Sequence, residues 1–373
     1  MGKMLIKYIC ISILLGIFTI FAQIAYSDNP SPGTIEIVTE LPINPGNLAV
    51  TSDGRIFATV HQFRRAPVQL IEITGRGEYR PWPSETWNGP FGSGPHVFNS
   101  LLGIQIDIRN RLWVIDNGRG ELNQIPKLLA FNIENEDLVF RYDFPPETST
   151  KGTFLNDLAV DDKNGFVYIA DIGGELKPAI VVVDINKKTS RRFENHPSLE
   201  PEDADLVVEG KVIKVQDNEG NLKPARIGVN PITLSIDCEI LYFGAMNGKT
   251  WYSLPTKLFR QGASDNEIAN SIKAVGPKPV SDGASTDAEG NHFFTNVGEN
   301  AIDILAKDGN VKHLVQDDRL IWPDALSFGE EYWLYIAVNQ LNRAPVFNGG
   351  KELGKPPYLI MRVWTGTRGI PGQ

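Results

Sequence analysis

One short phrase recurs six times along this chain of 373 residues. Each copy is a hydrophobic stub of three residues, then a turn rich in Asp, Asn, Gly or Glu, then a strand of aromatic and aliphatic residues. The first copy reads Leu48-Ala-Val-Thr-Ser-Asp-Gly-Arg-Ile-Phe57 and the last Leu326-Ser-Phe-Gly-Glu-Glu-Tyr-Trp-Leu-Tyr335; the others occupy residues 104–113, 158–168, 232–242 and 284–293. They begin 56, 54, 74, 52 and 42 residues apart, a spacing that suits a four-stranded sheet of short strands with an occasional longer loop. A lone sheet of this kind leaves two faces and two edges open to water and must pack against copies of itself. Radial closure answers both needs, so the repeat predicts an all-β, six-bladed β-propeller. Residues 33–41 precede the first copy and residues 357–364 follow the last; the two strands are expected to meet in one blade and latch the ring.

Composition agrees. The 35 glycines and 25 prolines are scattered at turns, as a many-turned β chain requires. Helical signal is confined to residues 258–272. The longest spacer, residues 186–228, is expected to hold outer strands and a surface loop, with a hairpin turning at Glu209 and Gly210.

The first 27 residues read differently. A basic leader carrying Lys3 and Lys7 precedes a nearly unbroken apolar run from residue 8 to 22, and Ala25-Tyr-Ser27 offers small residues where a signal peptidase needs them. The expected organisation is a signal peptide over residues 1–27 and one propeller domain over residues 28–373, with the product secreted or periplasmic and no membrane attachment after cleavage. The rival reading is an uncleaved anchor. Cleavage removes two lysines and no acid, taking the formal charge from -9 to -11. An acidic exported chain is a poor nucleic-acid binder. Cys238 is then the sole cysteine, so no intramolecular disulfide is expected, and its acidic neighbours disfavour a thiolate nucleophile.

Residues 97–118 run Val-Phe-Asn-Ser-Leu-Leu-Gly-Ile-Gln-Ile-Asp-Ile-Arg-Asn-Arg-Leu-Trp-Val-Ile-Asp-Asn-Gly. They resemble the signature of the major royal jelly protein and yellow family. Further matches follow in order at Asn156 to Asp161, Tyr168 to Asp171, Leu234 with Ser235, Leu241 to Phe243, Ser285 to Thr295 and Trp322 to Asp324, so the resemblance covers roughly residues 34 to 365. It implies a six-bladed propeller, usually secreted, with activities that range from dopachrome tautomerisation to plain ligand binding. Cysteines that the insect members carry near the stretch between Asp107 and Asp116 are absent.

A more distant resemblance is to the regucalcin and gluconolactonase propellers, which hold a divalent cation in a central tunnel with ligands from just before the innermost strand of successive blades. Aligning the copies puts Gly46, Leu102, Asn156, Asn230, Asp282 and Asp324 at that place. The resemblance implies Asn156, Asn230 and Asp282 as ligands of Ca²⁺ or Mg²⁺, oxygen donors of the kind those ions prefer. It also implies a first-blade Glu, where this chain has Gly46 beside Asn47. Asn and Asp at strand starts also cap backbone groups, so a purely structural role stands beside the ligand role.

Among the remaining residues, only His96 sits in a loop leading to an inner strand and is expected near the tunnel mouth. The other histidines show no metal spacing, and Gly-x-Ser-x-Gly is absent. Trp82, Trp87 and Trp322 lie in loops, where they would either stack on a planar ligand or plug gaps between blades.

Two function classes follow. One is an enzyme on a small oxygenated or aromatic metabolite, either a tautomerase or a lactonase, with Asp282 and Asp324 handling the proton and Asn47, His96, Asn156, Asn230 and Trp322 holding the ligand. The other is a small-ligand-binding protein without chemistry. A monomer is the expected state.

Overall fold

The computed structural model describes residues 29–370 apart from residues 65, 119–124, 150–152, 174–175 and 218. The expected signal peptide lies outside the described residues. The described residues from 32 onward form one unit.

Six antiparallel four-stranded sheets surround a common axis, and each recurring phrase supplies the two innermost strands of one blade. The inner strands are Pro45–Val50, Leu101–Ile106, Leu155–Asp161, Val229–Leu234, Ala284–Thr286 and Pro323–Phe328, numbered here as blades 1 to 6. Successive inner strands contact one another round the ring, and the last returns to the first. Closure is as the sequence predicts. Ile35–Leu41 pairs with Tyr358–Trp364 as the outermost strand of blade 6, Glu36 opposite Arg362 and Leu41 opposite Tyr358. The first and last strands of the domain therefore share one set of ladder hydrogen bonds, which removes both free ends.

Apolar clusters fill the wedges between blades. Phe57, Leu112 and Phe131 meet between blades 1 and 2 around Trp82 and Trp87, which plug that gap and do not line the axis. Trp113, Val167 and Val181 fill the next wedge. His292 packs against Tyr242 and Trp251, where burial pushes its pKa down to about 4. Cys238 is half-buried beside Asp161, and burial pushes its thiol up to about 12, which disfavours the thiolate.

Two short helices, Lys257–Arg260 and Asp265–Ser271, occupy the one segment with helical signal, the second opened by a capping box of Ser264 and Glu267. The hairpin at Glu209 and Gly210 is present: Val207–Val208 pairs with Lys211–Val212, and both turn residues have positive φ. A second small hairpin, Lys214–Gln216 with Leu222–Pro224, follows it.

Candidate functional site

The inner strands of blades 1, 2, 3, 4 and 6 carry the same register shift, between Pro45 and Leu48, Leu101 and Ile104, Leu155 and Leu158, Val229 and Ile232, and Pro323 and Leu326. A bulge places two residues opposite one and re-aims side chains. The bulged residues include Asn47, Asn156, Asn230 and Asp324, which is why they face the axis. Backbone at this level is held by threonines of the second strands: Thr59 Oγ1 accepts from Asn47 N at 2.9 Å, and Thr295 Oγ1 accepts from Asp282 N at 3.1 Å and Gly283 N at 3.0 Å. Neighbouring inner strands approach so closely that a Cβ on Gly103 would lie 2.1 Å from Asn156 O.

Asn47, Asn156, Asn230, Asp282, Trp322 and Asp324 converge on one cavity of about 170 Å³. Four of them form a hydrogen-bonded chain: Asn156 donates to Asn230, Asn230 Nδ2 donates to Asp282 Oδ1 at 2.5 Å, and Trp322 Nε1 donates to Asp282 Oδ2 at 2.6 Å. Asp324 accepts from Asn339. Trp322 is 1% exposed and has φ of 53°, a left-handed conformation that costs a non-glycine residue of order 1–3 kcal/mol. That strained backbone accompanies an indole aimed at a carboxylate.

Sequence reasoning missed Asp157, His61 and the phenylalanines that join Trp322 in the aromatic wall, Phe63 and Phe347. Asp157 follows Asn156 within the same bulge and accepts from Asn47 Nδ2 at 2.8 Å, at the end of the axis opposite the cavity. His61 lines the cavity; its Nδ1 accepts from Phe63 N at 3.3 Å, leaving Nε2 as the protonated nitrogen. Burial and the nearby Arg64 push its pKa down to about 3, so the ring is neutral. One signal would have found it. The residue just after the second strand of a blade also faces the axis: His61, Ile172 and Met246 line the cavity, and Asn339 grips Asp324. Phe347 completes the wall, stacked on Trp322 at 5.9 Å and edge-on to Phe63.

His96 is a correction. It is exposed, lies edge-on to Trp87 at 5.3 Å, and is absent from the cavity wall. Its loop folds outward because Trp87 and Phe98 anchor it in the wedge between blades 1 and 2.

The electrostatics are unusual. Burial pushes Asp282 up to about 6 against the opposing hydrogen bonds from Trp322 and Asn230. Burial raises Asp324 well above the carboxylate range, helped by repulsion from Asp282 and Asp157. Asp157 is raised well above that range by burial and by Asp282. Asp157 and Asp324 keep some accessible surface, which faces the cavities they line. Asp282 accepts two N–H groups and Asp324 one, so Asp282 ionises first.

The family model described as "Major royal jelly protein" matches residues 99–350. Major royal jelly protein 7 of Apis mellifera is 30% identical over 55% of this chain and 46% of its own length. Major royal jelly protein 9 of the same species is 24% identical over 83% of this chain and 77% of its own length. Protein yellow of Drosophila yakuba is 25% identical over 67% and 48%. The chain thus spans about half the length of two of these three relatives. Among solved structures, a putative gluconolactonase superposes with a TM-score of 0.57 at 11% identity, covering 91% of this chain and 95% of that one. A luciferin-regenerating enzyme gives 0.54 at 10%, covering 91% and 98%. These last two likenesses concern the fold.

Proposed function

The chain belongs to the major royal jelly protein family, and from that premise we propose that it takes a small aromatic or oxygenated molecule into the central cavity and isomerises it by proton transfer. The observation that carries this reading is the pair Asp282 and Asp324, two carboxyls of split acidity beneath an aromatic wall. A carboxyl near 6 is largely ionised at neutral pH and still basic enough to take a proton, while its raised neighbour keeps one to give. In the tautomerase form, Asp282 removes a proton next to a carbonyl or quinone ring and Asp324 delivers one to the oxygen. Ligand and protein then exchange one proton each way, and the two acids re-equilibrate between turnovers. Phe63, Trp322 and Phe347 stack on the ring and exclude water, and neutral His61 supplies a fixed N–H donor.

The lactonase form would need a cation to polarise the lactone carbonyl. Asn156, Asn230 and Asp282 are right in kind for Ca²⁺ or Mg²⁺, but Asn230 Oδ1 accepts from Asn156 and Asp282 Oδ1 accepts from Asn230, so a cation would have to displace those two hydrogen bonds. The tautomerase form needs no cation, and the hydrogen bonds from Asn156 to Asn230 and from Asn230 to Asp282 favour it over the lactonase form.

The second reading, a binding protein without chemistry, is favoured by the same hydrogen-bonded chain, which makes a rigid floor of acids suited to a ligand bearing an N–H or ammonium group. One experiment separates the readings. Dopachrome-like quinones and lactones are offered to wild type and Asp282→Asn, with and without chelator. The tautomerase reading expects chelator-insensitive turnover that falls by roughly 10²-fold or more in the variant. Chelator-sensitive lactone hydrolysis would move the assignment to the metallo-hydrolase, and binding without turnover to the receptor.

Export is also proposed, on the basic and apolar leader of residues 1–27. Among the described residues no helix is long and apolar enough to cross a membrane.

A further inference from the structure

A second concavity, of about 470 Å³, lies between the two small hairpins that join blades 3 and 4 and the loop inserted in blade 6. Its size falls within the range of small-molecule sites. Val208 and Ile213 form a buried base, and Leu222 and Leu353 stand on the rim, 66% and 49% exposed. Val212, at the same rim, is 36% exposed. These side chains give the groove an apolar floor that stays open at the rim.

The charge is one-sided. Lys211, Lys214 and Lys355 line the groove, and among the described residues none forms an ion pair; Lys211 lies only in the wider field of Glu209. The carboxylate of the groove, Glu209, is already taken by Arg343, with Nη2 to Oε1 at 2.6 Å and Nε to Oε2 at 3.1 Å, and by Asn342 Nδ2 at 2.7 Å. Three uncompensated ammonium groups around an apolar floor stand out on a chain of formal charge -9.

We propose that this groove binds a small amphipathic anion, an aliphatic or aromatic body ending in a carboxylate or similar monoanion, at a site separate from the carboxylate-floored cavity. The apolar body lies on Val208, Ile213, Leu222 and Leu353, and the head group is shared among the three lysines. The two sites have opposite charge preferences. Phe347 belongs to the wall of both, so an occupant of the groove touches the aromatic lining of the cavity without reaching its acids.

The test uses the full secreted chain and three probes of one chain length: decanoate, decylammonium and decanol, by titration calorimetry below their aggregation limits. Decanoate should bind in preference to both others. The triple variant Lys211→Gln, Lys214→Gln, Lys355→Gln should weaken decanoate by about tenfold, the sum expected of three exposed ion pairs. Its lysines are exposed, so its melting temperature should match wild type. Asp324→Asn should leave decanoate binding unchanged, which separates this site from the central cavity. Equal binding of all three probes, no binding of decanoate, or indifference to the triple variant would overturn the proposal. So would binding confined to phosphatidylglycerol vesicles, which would assign the lysines to a membrane surface.

Discussion

The indole N–H of Trp322 reaches Oδ2 of Asp282 at 2.6 Å, joining the residue that opens blade 6 to the one that opens blade 5. The bond favours the ionised carboxylate, and together with the bond from Asn230 it holds Asp282 below its neighbour Asp324, which Asp282 and Asp157 repel.

Trp322→Phe keeps the ring and deletes that donor. The pKa of Asp282 should rise by about one unit, the equivalent of one charge-assisted hydrogen bond. In a pH-rate profile the acidic limb should move up accordingly while the basic limb stays. An unmoved acidic limb would mean that Asp282 is not the titrating group.

Stability offers an activity-free check on the same residue. The folded Asp282 value lies above that of an ordinary carboxyl, so the native state holds the proton more tightly than the unfolded chain does. Stability from this group is complete below about pH 4 and is lost as the pH rises through about 6. Asp282→Asn does not titrate. Its stability relative to wild type should therefore improve with rising pH, by about 3 kcal/mol at most, and level off near neutrality. Denaturant melts of both proteins across the range measure this; a difference that is flat with pH refutes the shift.

Closure of the ring depends on Tyr358–Trp364, which is sandwiched between the chain's first described strand and the second strand of blade 6. Met361 is fully buried in the wedge that this strand shares with Leu334 and Ile336. Met361→Ala should cost about 2–5 kcal/mol. Thermal unfolding reads the loss, and an unchanged transition would show that the latch contributes little.

The axis tolerates no side chain at Gly103, where an added Cβ would fall 2.1 Å from Asn156 O, a backbone atom that cannot rotate away. Gly103→Ala should destabilise by about 1–3 kcal/mol and weaken any ligand held at Asn156. Gly94→Ala, whose Cβ would meet nothing within 4 Å, is the matched control and should be close to neutral. Equal behaviour of the two variants would contradict the close approach of the inner strands.

The sixfold phrase was enough to derive the blade count and the latch, because a sheet's two-residue period and its turn chemistry are local and survive in the sequence. Repeat alignment also found Asn156, Asn230, Asp282 and Asp324, since equivalent places in successive blades must face one axis. What it could not see is anything that depends on where side chains end up across blades. Asp157 was hidden because a β-bulge, not the alternating strand period, sets which residues face inward. His61 and Met246 entered the cavity from the ends of second strands, and Phe347 from an irregular loop. His96 was drawn out of reach by Trp87 packing in a wedge. The acidities of Asp282 and Asp324 belong wholly to the tertiary structure. Desolvation and mutual repulsion act through space between residues 42 positions apart, and no local pattern encodes that distance.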